Sequence, residues 1–152
     1  MNKNSKGFTL FELILTIFLI ALLTGIALPK YFRLVETVRG NEAGAIISTI
    51  RKAMESCYAW TSTFTTCYLE SMSVPGSRGS TIGMDDPERS PNAHFYYQAV
   101  ANLADPQLNS YYILASRNTR DGGDPTHWIR LDVDFAPIAV TWSINGPYKN
   151  LQ

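Results

Sequence analysis

Between Phe8 and Leu28 the chain reads FTLFELILTIFLIALLTGIAL, and Glu12 is the only ionisable residue in that run. About 20 apolar residues are needed to cross roughly 30 Å of hydrocarbon. The run is apolar all round, which a surface helix of a soluble domain is not. Lys3 and Lys6 precede it and Lys30 and Arg33 follow it, so charge counts alone do not orient the span, although a short cationic leader normally stays cytoplasmic. A cleaved secretory signal would end in small residues at A-x-A-like positions, whereas this run passes into Leu28-Pro29-Lys30-Tyr31. A plain anchor gives no reason for Glu12, whose placement in hydrocarbon costs about 2.5–3.5 kcal/mol on insertion scales and marks a functional residue by default.

The segment Lys6-Gly7-Phe8-Thr9-Leu10-Phe11-Glu12 resembles the type III signal of type IV prepilins and pseudopilins, with Phe11 at a position more often aliphatic. The similarity is close over residues 3–35 and looser to about residue 60. It implies that residues 1–7 are a leader, removed between Gly7 and Phe8 by a prepilin peptidase on the cytoplasmic side. Gly7, lacking a side chain, lets the backbone enter a narrow active site. It also implies N-methylation of Phe8, a single-pass precursor in the inner membrane, and self-assembly with pilus or secretion machinery into an extracellular pilus or a periplasmic pseudopilus. The chain would then be a processed substrate and structural subunit, neither an enzyme nor a cofactor carrier. Glu12 lies one helical turn beyond Phe8. Its carboxylate can neutralise the freed Phe8 amine of a neighbouring subunit, and a subunit out of register would leave both charges buried and unpaired.

Gly25 and Pro29 mark an expected break in the first helix, because proline removes a backbone hydrogen bond and crowds the carbonyl four residues back. Beyond it, residues 41–58 (NEAGAIISTIRKAMESCY) place Ile46, Ile50, Ala53, Met54 and Cys57 at helical spacing on one apolar face. A single helix from Phe8 to about Ala59 would measure about 75 Å. The expected fold is α+β and type IV pilin-like. Residues 8–29 form a membrane or filament-core helix, residues 30–59 its amphipathic continuation, and residues 60–152 a globular head. That head should carry an antiparallel sheet of about four strands: His94–Ala101, Tyr111–Ser116, Trp128–Phe135 and Ile138–Ile144. Turn chemistry lies at Ala104-Asp105-Pro106, before Ile138 at Pro137, and at Asn145-Gly146-Pro147. Residues 73–93, dense in Ser, Pro and Gly, read as the longest loop.

The 13 basic and 13 acidic residues cancel, and no basic footprint for nucleic acid is present. Cys57 and Cys67 are too few for a zinc site, which needs about four ligands. They suit a disulfide if the head lies outside the cytoplasm, where a loop of this size contributes about 2–3 kcal/mol by the chain-entropy model. Many relatives carry their disulfide near the C-terminus instead, so the family's usual disulfide loop is not carried over. Asp121, Asp124, Asp132 and Asp134 can be read as calcium ligands, but their spacing matches no defined loop, and Asp121-Gly122-Gly123-Asp124 is first of all a turn. No metal or cofactor is expected. The 18 aromatic residues read as sheet core, and His94 and His127 as surface or edge residues with no catalytic set around them.

Overall fold

The computed structural model describes residues 8–70, 79–89, 93–103, 109–135 and 138–148. The leader with Gly7, part of the loop at 73–93 (residues 73–78 and 90–92), the turn at 104–106 and Pro137 lie outside these. Helix α1 runs Leu10–Thr61 and carries Pro29 inside it. The break expected at Gly25 and Pro29 is therefore not an interruption of the helix in this structure. The chain divides into two compact units, Met1–Val35 and Glu36–Gln152. In the first, the apolar side chains from Phe8 to Leu34 are exposed.

In the second unit α1 is amphipathic. Gly40, Ala43, Ile47, Ile50 and Met54 are buried at alternating spacings of three and four, which keeps them on one stripe. The stripe centres on Ile47. Ile46, Ala53 and Cys57, predicted on the apolar face, lie half-buried at its flank. The helix ends where Ser62 takes a positive φ of 57° and its N–H bonds to the Tyr58 carbonyl at 2.7 Å. The Thr61 hydroxyl donates to the Cys57 carbonyl at 2.9 Å, so orphan carbonyls of the last turn have partners. Immediately beyond, Cys57 and Cys67 form a disulfide with 5.9 Å between Cα atoms.

The sheet has five antiparallel strands in sequence order: β1 (Leu69–Glu70), β2 (Phe95–Ala101), β3 (Ser110–Arg117), β4 (Trp128–Phe135) and β5 (Ile138–Asn145). The four expected strands are β2 to β5. The two-residue β1 is additional, too short for an alternating pattern to reveal it. Strict alternation along β2, β3 and β4 sends Phe95, Tyr97, Tyr111, Ile113, Ile129 and Leu131 against the α1 stripe. Burial of each aliphatic member contributes about 1.5–3 kcal/mol. Phe64, from the loop after α1, closes one end of this core, 4.4 Å from the Tyr58 ring and 4.6 Å from the Tyr111 ring by centroids.

Candidate assembly site

At the start of α1, Thr9 and Glu12 cap the helix reciprocally. The Glu12 backbone N–H donates to the Thr9 hydroxyl oxygen at 3.2 Å. In return, Glu12 Oε2 accepts the Thr9 backbone N–H at 3.0 Å and its hydroxyl at 2.8 Å. This is the T-x-x-E capping box, which satisfies backbone donors that a helix N-terminus otherwise leaves without partners. Thr9 is a capping residue that the sequence pattern could have disclosed, because the spacing Thr9-Leu10-Phe11-Glu12 is the signal that finds it. Among the described residues Glu12 Oε1 has no hydrogen-bond partner, so the carboxylate can serve the cap and accept a further donor. Phe8, Leu10 and Phe11 beside it are each more than 70% exposed. The apolar run that follows is long enough to cross a membrane and none of it is buried within the chain. Near Gly25 the Thr24 hydroxyl donates back to the Ile20 carbonyl at 2.8 Å.

A second constellation, which no sequence motif announces, lies in the head. Arg117 ends β3 on its core-facing side with its side chain fully buried. Its guanidinium forks onto Glu36 of α1, Nε to Oε2 at 3.2 Å and Nη2 to Oε1 at 3.1 Å. Nη1 reaches Asp121 Oδ1 at 2.7 Å and the His94 carbonyl at 2.9 Å. Arg39 and His94 also meet Asp121 Oδ2, at 2.9 and 2.7 Å. The Tyr148 hydroxyl donates to Glu36 Oε2 at 3.1 Å. Arg117 thus joins the end of β3 to the helix, the residue before β2 and the loop after β3, and Glu36 extends the network to the C-terminal turn, by charge-assisted bonds.

The titration of the cluster follows from this geometry. Burial alone would raise the Glu36 carboxyl, but hydrogen bonds from Arg117, Arg39 and Tyr148 hold it below its ordinary value. Its hydrogen bond from Arg117, reinforced by Arg39 and His94, brings Asp121 down to about 2. Burial pushes the Tyr148 hydroxyl up, with the Glu36 charge adding to the effect. Gly123 is required by close approach: a Cβ there would collide with the Asn118 carbonyl oxygen and the Arg117 guanidinium.

The four aspartates considered for calcium are therefore not gathered into one site. Asp121 belongs to the Arg117 cluster. Asp124 closes its own turn, accepting the Thr126 N–H at 2.9 Å and hydroxyl at 2.7 Å. Asp132 takes Arg130 Nε at 2.9 Å, and Asp134 lies opposite Ala139 of β5. Among the described residues no three His, Cys, Asp or Glu side chains gather as metal ligands would. His94 pairs with Asp121, and His127 stands edge-on to the Tyr148 ring with centroids 6.0 Å apart.

Residues 2–28 match the family model described as the prokaryotic N-terminal methylation motif, the signal of type IV pilins and pseudopilins. No curated protein matches the chain.

Proposed function

We propose, from the premise that residues 2–28 carry the type IV pilin and pseudopilin signal, that this chain is the major subunit of a type IV pilus. It is made as an inner-membrane precursor, cut between Gly7 and Phe8, methylated on Phe8, and polymerised through its N-terminal helix into an extracellular filament serving adhesion, motility or DNA uptake. The observation that carries this reading is the register of three features. A cleavage dipeptide, a carboxylate one turn later and a wholly exposed apolar helix follow one another without slack. The apolar helix is kept from water in two successive settings, first in lipid and then in a filament core. The partner that meets Glu12 in that core is the Phe8 amine of an adjacent subunit. Such a pair recovers its desolvation cost only in the correct register, so it selects register more than it adds stability. Pro29 and Gly25 supply a turn of α1 with fewer backbone bonds, where the helix loosens on packing into the filament.

The test is the N-terminal mass of the purified protein, expected to begin at Phe8 with one methyl group. Electron microscopy of wild-type and deletion cells then reads the filament itself. Loss of surface fibres on deletion supports the pilus. Unchanged fibres together with impaired protein export identify a secretion pseudopilin, and a protein that still begins at Met1 refutes both.

A further inference from the structure

The two edges of the sheet are built differently. β1 is two residues long, and Leu69 is already bridged to Ser80 on its far side. β5 has eight residues, lies at the other edge beside β4, and contains no charged residue and no proline from Ile138 to Asn145. Among the described residues no strand pairs with the outer side of β5, which leaves a row of open backbone donors and acceptors that soluble proteins usually blunt with lysine, proline or a bulge. The side chains extend the exposure. Register with β4 pairs Val133 with Val140 and Phe135 with Ile138, which puts both β5 residues on the core-facing side. Yet Ile138 is 79% exposed and Val140 38%. On the same face, Trp142 lines a groove of about 240 Å³ with the small residues Gly44, Ala45 and Ser48 of α1.

We propose that β5 is a pairing edge for a second copy of this chain, antiparallel about a two-fold axis through Thr141. The occupant follows from the pattern of the strand itself. The axis sets Ile138 opposite Ile144, Val140 opposite Trp142, and Ala139 opposite Ser143. Apolar residues meet on the core-facing side, small ones meet on the other, and no like charges face each other, as a self-complementary isologous contact requires. Seven paired residues a side fall well short of the roughly 20–30 of a stable complex, so one such contact is weak. Repeated along a polymer it becomes strong through effective concentration. This consequence rests on the filament reading above.

The test needs no filament. The full chain carrying Thr141→Cys is purified in detergent micelles and oxidised beside Thr119→Cys, a control on the exposed loop after β3. Thr141→Cys is expected to give several-fold more disulfide-linked dimer than the control. Adding Val140→Lys or Ile138→Lys is expected to remove that excess while the melting temperature holds. Ile138→Lys, on the more exposed side chain, guards against a folding defect in Val140→Lys. Equal cross-linking of the two cysteines, or a dimer that survives both lysines, overturns the proposal. Filament imaging is scored separately, so a chain that dimerises without forming fibres refutes the filament reading and leaves the edge contact standing.

Discussion

α1 presents two kinds of apolar surface within one helix. Between Gly40 and Met54 the residues Ala43, Ile47, Ile50 and Met54 form a stripe buried in the head's core, with Ile46 and Ala53 half-buried at its flank. From Leu10 to Leu34 apolar residues cover every side and none is buried. A stripe implies a partner on one side, and a domain can supply that from its own strands. An all-round apolar helix needs a medium, either lipid or a bundle of other helices. Each region also holds its ionised groups differently. Glu12 has only Thr9 as a protein partner among the described residues, whereas Glu36 shares Arg117, Arg39 and Tyr148. The head's charge cluster is complete within the chain, and the carboxylate of the N-terminal segment is left with capacity for another chain.

The sharpest way to break this comparison is Glu12→Ala. Filament assembly is expected to fall to undetectable levels by electron microscopy, while the melting temperature of the head stays within about 1 °C, since a substitution away from the packed core moves stability little. Wild-type numbers of fibres would remove Glu12 from assembly. Arg117→Met is the converse experiment. It leaves Glu36 and Asp121 without their buried cation, and breaking a buried pair from one side costs about 3–5 kcal/mol. Both carboxylates are about a quarter exposed and keep Arg39, so a loss near ~3 kcal/mol is expected, read as a fall of about 10 °C or more in Tm.

The candidate assembly site can be named from the sequence because its signals are local. Gly7, Phe8 and Glu12 stand within six residues, and the capping spacing adds Thr9 to them. The strands β2, β3 and β5 were legible as aromatic and apolar runs set off by turn residues, and β4 from its alternation. The Arg117 cluster was not, because it joins residues 81 and 112 positions apart, Glu36 to Arg117 and to Tyr148. Two hints existed nonetheless. Extending the α1 stripe back by one turn from Gly40 reaches Glu36. Extending the strand Tyr111–Ser116 by one residue puts Arg117 in phase with Tyr111, Ile113 and Ala115. An acid and a base each placed in phase with a core pattern point to a buried pair, but alternation alone does not reveal which partner each one meets.

Gly123→Ala sharpens the comparison at smaller scale. The added methyl collides with the Asn118 carbonyl and the Arg117 guanidinium, so the loop holding Asp121 must shift. Overpacking of this kind typically costs 1–3 kcal/mol, and a loss of about 2 kcal/mol is expected from urea unfolding of the head. Gly122, with φ of +77° and open space where a Cβ would stand, would be strained by alanine for a different reason, its backbone conformation. The two variants therefore separate a steric demand from a conformational one. Only Gly123→Ala should weaken the Arg117 contacts, an outcome readable as a non-additive double-mutant cycle with Arg117→Met.

The smallest effect concerns acid. Asp121 titrates at about 2 in the folded head against 3.8 ordinarily, and Glu36 is lowered as well. A depressed carboxyl contributes stability that is complete above its unfolded value and is lost as pH falls through its folded one, because below about pH 4 the unfolded chain binds the proton first. The groups facing Asp121 are Arg117, Arg39 and His94. With its carboxylate partly open to solvent, Asp121 contributes on the order of 1 kcal/mol after screening. Urea midpoints measured from pH 5 to pH 2 should therefore fall, and Asp121→Asn should flatten part of that fall while lowering the midpoint at pH 5. If the slope is unchanged in Asp121→Asn, the acid response belongs to Glu36 or to carboxylates outside the cluster, and the contrast between a completed charge cluster and an open one would rest on Glu36 alone.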